Sequence, residues 1–202
     1  MTEALRFLEE CGVDPREMRD DLLPRRRIPS LDEFALRDDF IRRFGFAILT
    51  PEAVEAIRSY APILEVGAGS GYWAWELRHA GVEVAATDPG TGRYHAVSDD
   101  GWPEPWTEIE RITALEALDR FPTHTLLMVW PDLAEWPAEA LRAYKGEWFL
   151  YVGEYQGATA DEAFHDLLES DFEEERVINL PVFYGLHDRL MIYRRRNGDA
   201  DA

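Results

Sequence analysis

Residues 63–73 read Ile63-Leu64-Glu65-Val66-Gly67-Ala68-Gly69-Ser70-Gly71-Tyr72-Trp73, a short apolar run that passes through Gly-x-Gly-x-Gly straight into a helical pattern. No other segment restricts the chain as much. Glycines let the backbone turn tightly and let a ligand approach where a side chain would collide. The amides exposed at the helix start favour negative charge. A dinucleotide loop prefers Gly-x-Gly-x-x-Gly, whereas here Ser70 alone separates Gly69 from Gly71. The compact spacing, with Glu65 ahead of it, suits a ligand that lacks a pyrophosphate and carries a positively charged amino-acid end. A plain tight turn is the competing reading of the same glycines.

Strand and helix patterns alternate from this point to the end of the chain. The next strand is expected at 82–87 and ends at Asp88, followed by a Gly- and Pro-rich connection and a weak third strand at 108–112. The apolar run 125–130, bounded by prolines, reads as a central strand. A helix at 137–144 leads to a strand at 148–152, and Thr159-Ala160-Asp161-Glu162 caps a helix carrying Phe164, Leu167 and Leu168. The last two strands, 176–180 and 189–193, have no helix between them. Parallel neighbours need a long crossover, so the final strand is expected to run antiparallel.

The first fifty residues are helical in pattern. Ser30-Leu31-Asp32-Glu33 is a capping box, with Leu31, Phe34, Ile41 and Phe44 at helical spacing and Gly45 as a stop. Asp14-Pro15-Arg16-Glu17 and Thr50-Pro51 give two more helix starts, and Pro24 and Pro29 bracket the basic turn Arg25 to Arg27. The expected organisation is a helical extension or lid over 1–50, one α/β domain over 51–196, and a disordered tail over 197–202.

Asp88 adds chemistry to the loop. A carboxylate at the end of the second strand can accept hydrogen bonds from both hydroxyls of a ribose. Asp88-Pro89-Gly90 is equally good turn chemistry. In the 202-residue chain, acids outnumber Lys and Arg by 40 to 21, for a formal net charge of -19. Such a field repels nucleic-acid phosphates and anionic membranes. With one cysteine, Cys11, no intramolecular disulfide forms, and the histidines show no metal-ligand spacing, so no metal is expected. No stretch approaches the ~20 apolar residues that span a bilayer, and no secretory signal pattern opens the chain. The expected address is the cytosol.

With these residues in place, the chain resembles the class I S-adenosylmethionine-dependent methyltransferases over residues 46–195. The narrower likeness is to an uncharacterised branch of small methyltransferases. It rests on Phe46-Ala47-Ile48, on the run from Glu65 to Trp73, and on Val152-Gly153-Glu154. The resemblance implies a Rossmann-like α/β sheet of seven strands, the last antiparallel, with helices on both faces and S-adenosylmethionine as cofactor. It also implies that Gly67, Ala68, Gly69 and Gly71 border the methionine part of the cofactor and that Glu65 holds its amino group through water. Asp88 takes the ribose, while Thr113 and Ala114 lie near the adenine. Tyr72 covers the cofactor or packs in the core, and Trp73 packs in the core.

The fourth strand should deliver residues to the reacting centre, and it delivers Val129-Trp130-Pro131-Asp132. Amino-group methyltransferases of this class often read Asn or Asp, Pro, Pro and an aromatic there. Here Trp130 replaces the acceptor, which turns the expectation away from base methylation and places Trp130 beside the cofactor. Candidates for orienting or deprotonating a nucleophile are Asp132 first, then Glu154, with His95 third. Trp102 and Trp106 either wall a substrate pocket or staple their loop to the core. A small-molecule acceptor is the leading expectation. A protein or nucleic-acid amine, or a non-catalytic cofactor-binding module, are the alternatives.

Overall fold

The computed structural model describes residues 1–19, 30–90 and 104–196. Six strands form one sheet: β1 (Ile63–Val66), β2 (Val84–Thr87), β3 (Thr125–Val129), β4 (Trp148–Gly153), β5 (Phe172–Asn179) and β6 (Arg189–Arg195). Their spatial order is β2-β1-β3-β4-β6-β5. β1 pairs in parallel with β2 and β3, and β3 with β4, whereas β6 is antiparallel to both β4 and β5. The final hairpin is therefore as expected.

The seven-stranded expectation is corrected to six. The segment expected as the third strand makes one parallel bridge, Thr87 with Glu110. Asp88 N–H donates to the Glu110 carbonyl at 2.9 Å and Glu110 N–H to that of Ala86 at 2.9 Å. Pairing stops there because Ile112 N–H turns back onto the Glu110 carbonyl at 3.1 Å. Thr113 then caps a helix in a reciprocal box with Glu116. Charged Glu108, Glu110 and Arg111 at a sheet edge also discourage a longer ladder.

Alternation along the strands divides the interior in two. Ile63, Leu127, Leu150, Val152, Leu190 and Ile192 pack on one face with helices α1 (Glu3–Glu10), α2 (Leu31–Phe44), α3 (Pro51–Arg58) and α4 (Tyr72–His79). Leu64, Val66, Leu126, Met128, Phe149 and Met191 pack on the other with α5 (Ala114–Arg120), α6 (Trp136–Ala143) and α7 (Glu162–Asp171). Asp14-Pro15 starts only a 3-10 turn, Pro15–Glu17.

The N-terminal helices share the first core directly. Phe40 is fully buried and meets Phe7, Phe44 and Phe183 at ring separations of 6.3, 5.0 and 5.2 Å. Thr2 caps α1 and donates its hydroxyl to the Leu49 carbonyl at 2.8 Å. Of the expected α2 face, Ile41 and Phe44 are buried while Leu31 and Phe34 are exposed, because only the C-terminal half of α2 meets the core. Among the described residues, no helix is long and apolar enough to cross a membrane.

Phe40→Ala should cost about 3–5 kcal/mol, the range for truncating a buried aromatic, in a single transition in urea. A separate early transition, with the remainder unfolding as in the wild type, would show instead that the N-terminal helices form a detachable layer.

Candidate functional site

The strand order switches at β1, whose neighbours β2 and β3 lie on opposite sides of it, and α/β proteins bind ligands beyond the strand ends at such a point. Four segments converge on that rim: the glycine loop after β1, Asp88–Gly90 after β2, Trp130–Glu135 after β3, and Glu154 after β4.

The loop is held open by its own backbone and by one acid. Gly67, Gly69 and Gly71 have φ of 70°, 54° and 72°, values that bulky residues adopt only with strain. A Cβ on Gly71 would stand 2.9 Å from Ile109 Cδ1, and one on Gly67 3.0 Å from Trp136 Cη2. Asp88, 4% exposed, accepts the Gly69 N–H on Oδ2 at 3.0 Å and the Gly90 N–H on Oδ1 at 2.8 Å. Ala68 N–H donates to the Thr87 carbonyl at 3.1 Å, so β2 grips two consecutive loop amides of three. The carboxylate makes the turn at Gly90 and also reaches the loop.

Glu65 lies beneath that loop, 2% exposed, with Oε2 buried and without a hydrogen-bond partner among the described residues. Burial pushes its carboxyl up to about 8, opposed by the Arg78 charge and the Ala74 N–H and reinforced by the Asp88 charge. Near neutrality the acid is held mostly protonated, which avoids an uncompensated buried charge.

Several expected site residues are placed differently. Tyr72 is turned away from the rim. Its hydroxyl accepts the Ala4 N–H at 3.0 Å and donates to Glu76 Oε1 at 2.9 Å, while its ring meets Phe44 and Trp106 at 5.0 and 5.3 Å. That is the packing alternative, and the reason is the α1 terminus, whose first amides need acceptors. Trp106 is likewise a staple, stacked on Phe44 at 5.6 Å with its indole N–H donated to the Arg43 carbonyl at 2.5 Å. Thr113 and Ala114 open α5 at the rim, with the Thr113 hydroxyl engaged by Glu116. His95, Trp102 and Arg25 to Arg27 lie outside the described residues.

The two candidate acids also serve the backbone. Asp132 is exposed and its Oδ1 accepts the Trp136 indole N–H at 2.7 Å. Glu154, 7% exposed, accepts the His187 N–H on Oε1 at 2.6 Å and the Ala158 N–H on Oε2 at 2.8 Å. Trp130 has φ 52°, stacks on Phe46 at 4.7 Å and 11°, and donates its indole N–H to Asp188 Oδ1 at 2.6 Å.

Two of these participants escaped the sequence reading. Trp136, whose ring edge lies against Gly67, sits beside Pro137 at a helix start, and its four-residue spacing from Asp132 was the available signal. Asp188 carried none, because its partner is 58 residues away. Among the described residues, no cluster of three or more His, Cys, Asp or Glu side chains could hold a metal ion.

No protein-family model matches the chain, and no curated protein matches it. Among solved structures it is similar to TrmN from Thermus thermophilus, at 16% identity and a TM-score of 0.48, over 80% of this chain and 53% of that one. The chain thus spans about half the length of that protein. It is similar also to magnesium protoporphyrin IX methyltransferase from Synechocystis PCC 6803, solved with bound SAM, at 14% identity and a TM-score of 0.47, over 85% and 100% of the two chains. A third likeness is to the 1,6-didemethyltoxoflavin-N1-methyltransferase of Burkholderia thailandensis, at 16% identity and a TM-score of 0.48, over 86% and 94%. Likenesses at this identity and TM-score carry no argument, and the fold stands on this chain's own strand order. It is an open Rossmann-like α/β sheet, parallel through β2-β1-β3-β4 and closed by the antiparallel β6-β5 hairpin.

Burial of Glu65 makes a prediction about pH. The folded state keeps a proton that the unfolded chain releases near pH ~4.3, so this stabilisation is complete below that value and is lost as pH rises through about 8. Unfolding free energies of the wild type in urea should fall between pH 5 and 9. Glu65→Gln, which cannot ionise, should show a shallower fall over the same range, and an identical slope would mean that Glu65 does not hold its proton.

Proposed function

We propose that this protein binds S-adenosylmethionine across the glycine loop and transfers its methyl group to a small-molecule acceptor. The observation that supports this most is the tie between Asp88 and Gly69. One buried carboxylate at the end of β2 shapes the loop after β1, which puts a ribose-binding acid and a side-chain-free backbone side by side.

The residues fit such a cofactor on a second count. Glu65 Oε2 is a buried acceptor lacking a partner, close beneath the loop, and a ligand ammonium near it would favour the ionised form that burial now disfavours. In this reading Gly67, Ala68, Gly69 and Gly71 border the amino-acid end, Asp88 holds the ribose, and Thr113 and Ala114 approach the base. Trp136 closes over Gly67, held by Asp132. When bound, the cofactor supplies an electrophilic methyl group on a sulfonium.

What the chain contributes is placement. In-line displacement at a methyl carbon draws much of its rate from orientation, and a general base matters most for a hydroxyl acceptor. We assign Asp132 to the acceptor side of the site, where it also sets Trp136. Glu154 is a positioning residue, since both of its oxygens hold backbone amides. The net charge of -19 favours a small acceptor over a polyanion.

Calorimetric titration of S-adenosylmethionine, and separately of NAD, is the direct test. The cofactor should bind with micromolar affinity, NAD should give no heat, and Asp88→Ala should weaken binding at least tenfold. Absence of both heat and a ligand-induced rise in melting temperature would overturn the reading. Filter binding of RNA with a steep salt dependence would overturn the small-molecule assignment alone.

A further inference from the structure

Trp130 is a bulky residue held where bulky residues are uncommon. A left-handed φ of 52° strains such a side chain and persists only where its surroundings over-determine it. Three contacts do so. Its backbone N–H donates to the Val152 carbonyl at 2.8 Å, its ring lies nearly parallel to Phe46, and its indole N–H donates to Asp188 Oδ1. The first of these continues the β3–β4 ladder. The other two reach to distant parts of the chain, the segment after α2 and the turn before β6.

Asp188 is the unusual partner. It is 3% exposed, and its Oδ1 accepts the Trp130 indole N–H at 2.6 Å. The charged and titratable groups around it are Glu154 from beyond β4, Arg37 from α2, and its neighbour His187. Burial, with the Glu154 charge adding to it, pushes its carboxyl up to about 7 against the Trp130 hydrogen bond and the Arg37 and His187 charges. An acid kept at this cost, on the rim where β3 ends beside β1, has its clearest use in what it holds.

We propose that Asp188 is a positioning residue of the methyl-transfer site, fixing the Trp130 indole so that the Trp130–Phe46 pair forms the wall against which a flat, conjugated acceptor lies. This rests on the function proposed above. Both rings are half-buried, and aromatic faces reward planar π surfaces over saturated ones. Asp188 supplies from the C-terminal hairpin the oxygen that sets the Trp130 ring.

The test uses the full chain, labelled for indole N–H resonances, with Trp130→Phe to assign the signal. In the wild type, the Trp130 indole proton should exchange at least tenfold more slowly than that of an exposed tryptophan and shift with pH around 7. Asp188→Asn, which keeps an acceptor, should retain the slow exchange and lose the titration. Asp188→Leu should lose the slow exchange while the other six indole signals stay in place. Saturation transfer to quinoline should exceed that to decahydroquinoline in the wild type and in Asp188→Asn, and fall at least fivefold in Asp188→Leu. Fast exchange in the wild type overturns the proposal even if the leucine variant does not fold, and so does equal transfer to the two probes. Calorimetry of S-adenosylmethionine on each variant separates the two readings. Unchanged cofactor affinity with altered indole behaviour is the expected pattern. No cofactor binding by the wild type removes the proposed function while the indole and quinoline results still decide the wall.

Discussion

The hydrogen bond from Gly69 N–H to Asp88 Oδ2 is the constraint on which the rim depends. A glycine turn has no side chain with which to fix itself, and glycine gives up more conformational freedom on folding than any other residue. Left alone, the segment between β1 and α4 would sample many turns. Two bonds from β2, one from the Asp88 carboxylate and one from the Thr87 carbonyl to Ala68, select one of them. The selection works only because β1 and β2 are in register, with Val66 opposite Thr87. The sheet thereby dictates the loop, and α4 starts from Gly71 without any side-chain cap.

The same economy explains why the N-terminal helices belong to the first core. α4 needs cover on the side facing away from the sheet. Tyr72 and Glu76 supply acceptors for the opening amides of α1, which an isolated helix would leave to water. Phe44 and Trp106 then close around the Tyr72 ring. Trp106 N–H also donates to the Ser70 carbonyl at 3.0 Å, so the segment after the long connection is pinned to the glycine loop itself. Packing that looks remote from the rim therefore bears on the loop through one residue.

Local chemistry was legible in the sequence, and long-range contacts were not. The capping box at Ser30, the glycine stop at Gly45, the strand–loop–helix at Ile63 to Trp73 and the closing hairpin each declare themselves within a short local segment, and each is present. The third strand misled because propensity cannot report a turn such as Ile112 back onto Glu110. Asp88 was legible as an acid at a strand end, but its grip on Gly69 required knowing that β1 and β2 are neighbours. Tyr72 was ambiguous because a residue opening a helix beside a glycine loop can face ligand or core, and only the docking of α1 decides. Asp188 was out of reach for the same reason, since its meaning lies in Trp130.

Two acids near the rim, Glu65 and Asp188, are kept protonated to higher pH than exposed carboxyls, and both owe this mainly to burial. Glu65 lies beneath the glycine loop, and Asp188 holds the Trp130 indole at the end of β3. A chain this acidic could place carboxylates at the rim cheaply, in water, where they would attract any cation alike. Burying them costs stability above neutrality but makes their response specific, because a buried carboxyl ionises only for a positive group that comes close. What distinguishes Glu65 is that burial holds it mostly neutral near pH 7 until something positive comes close.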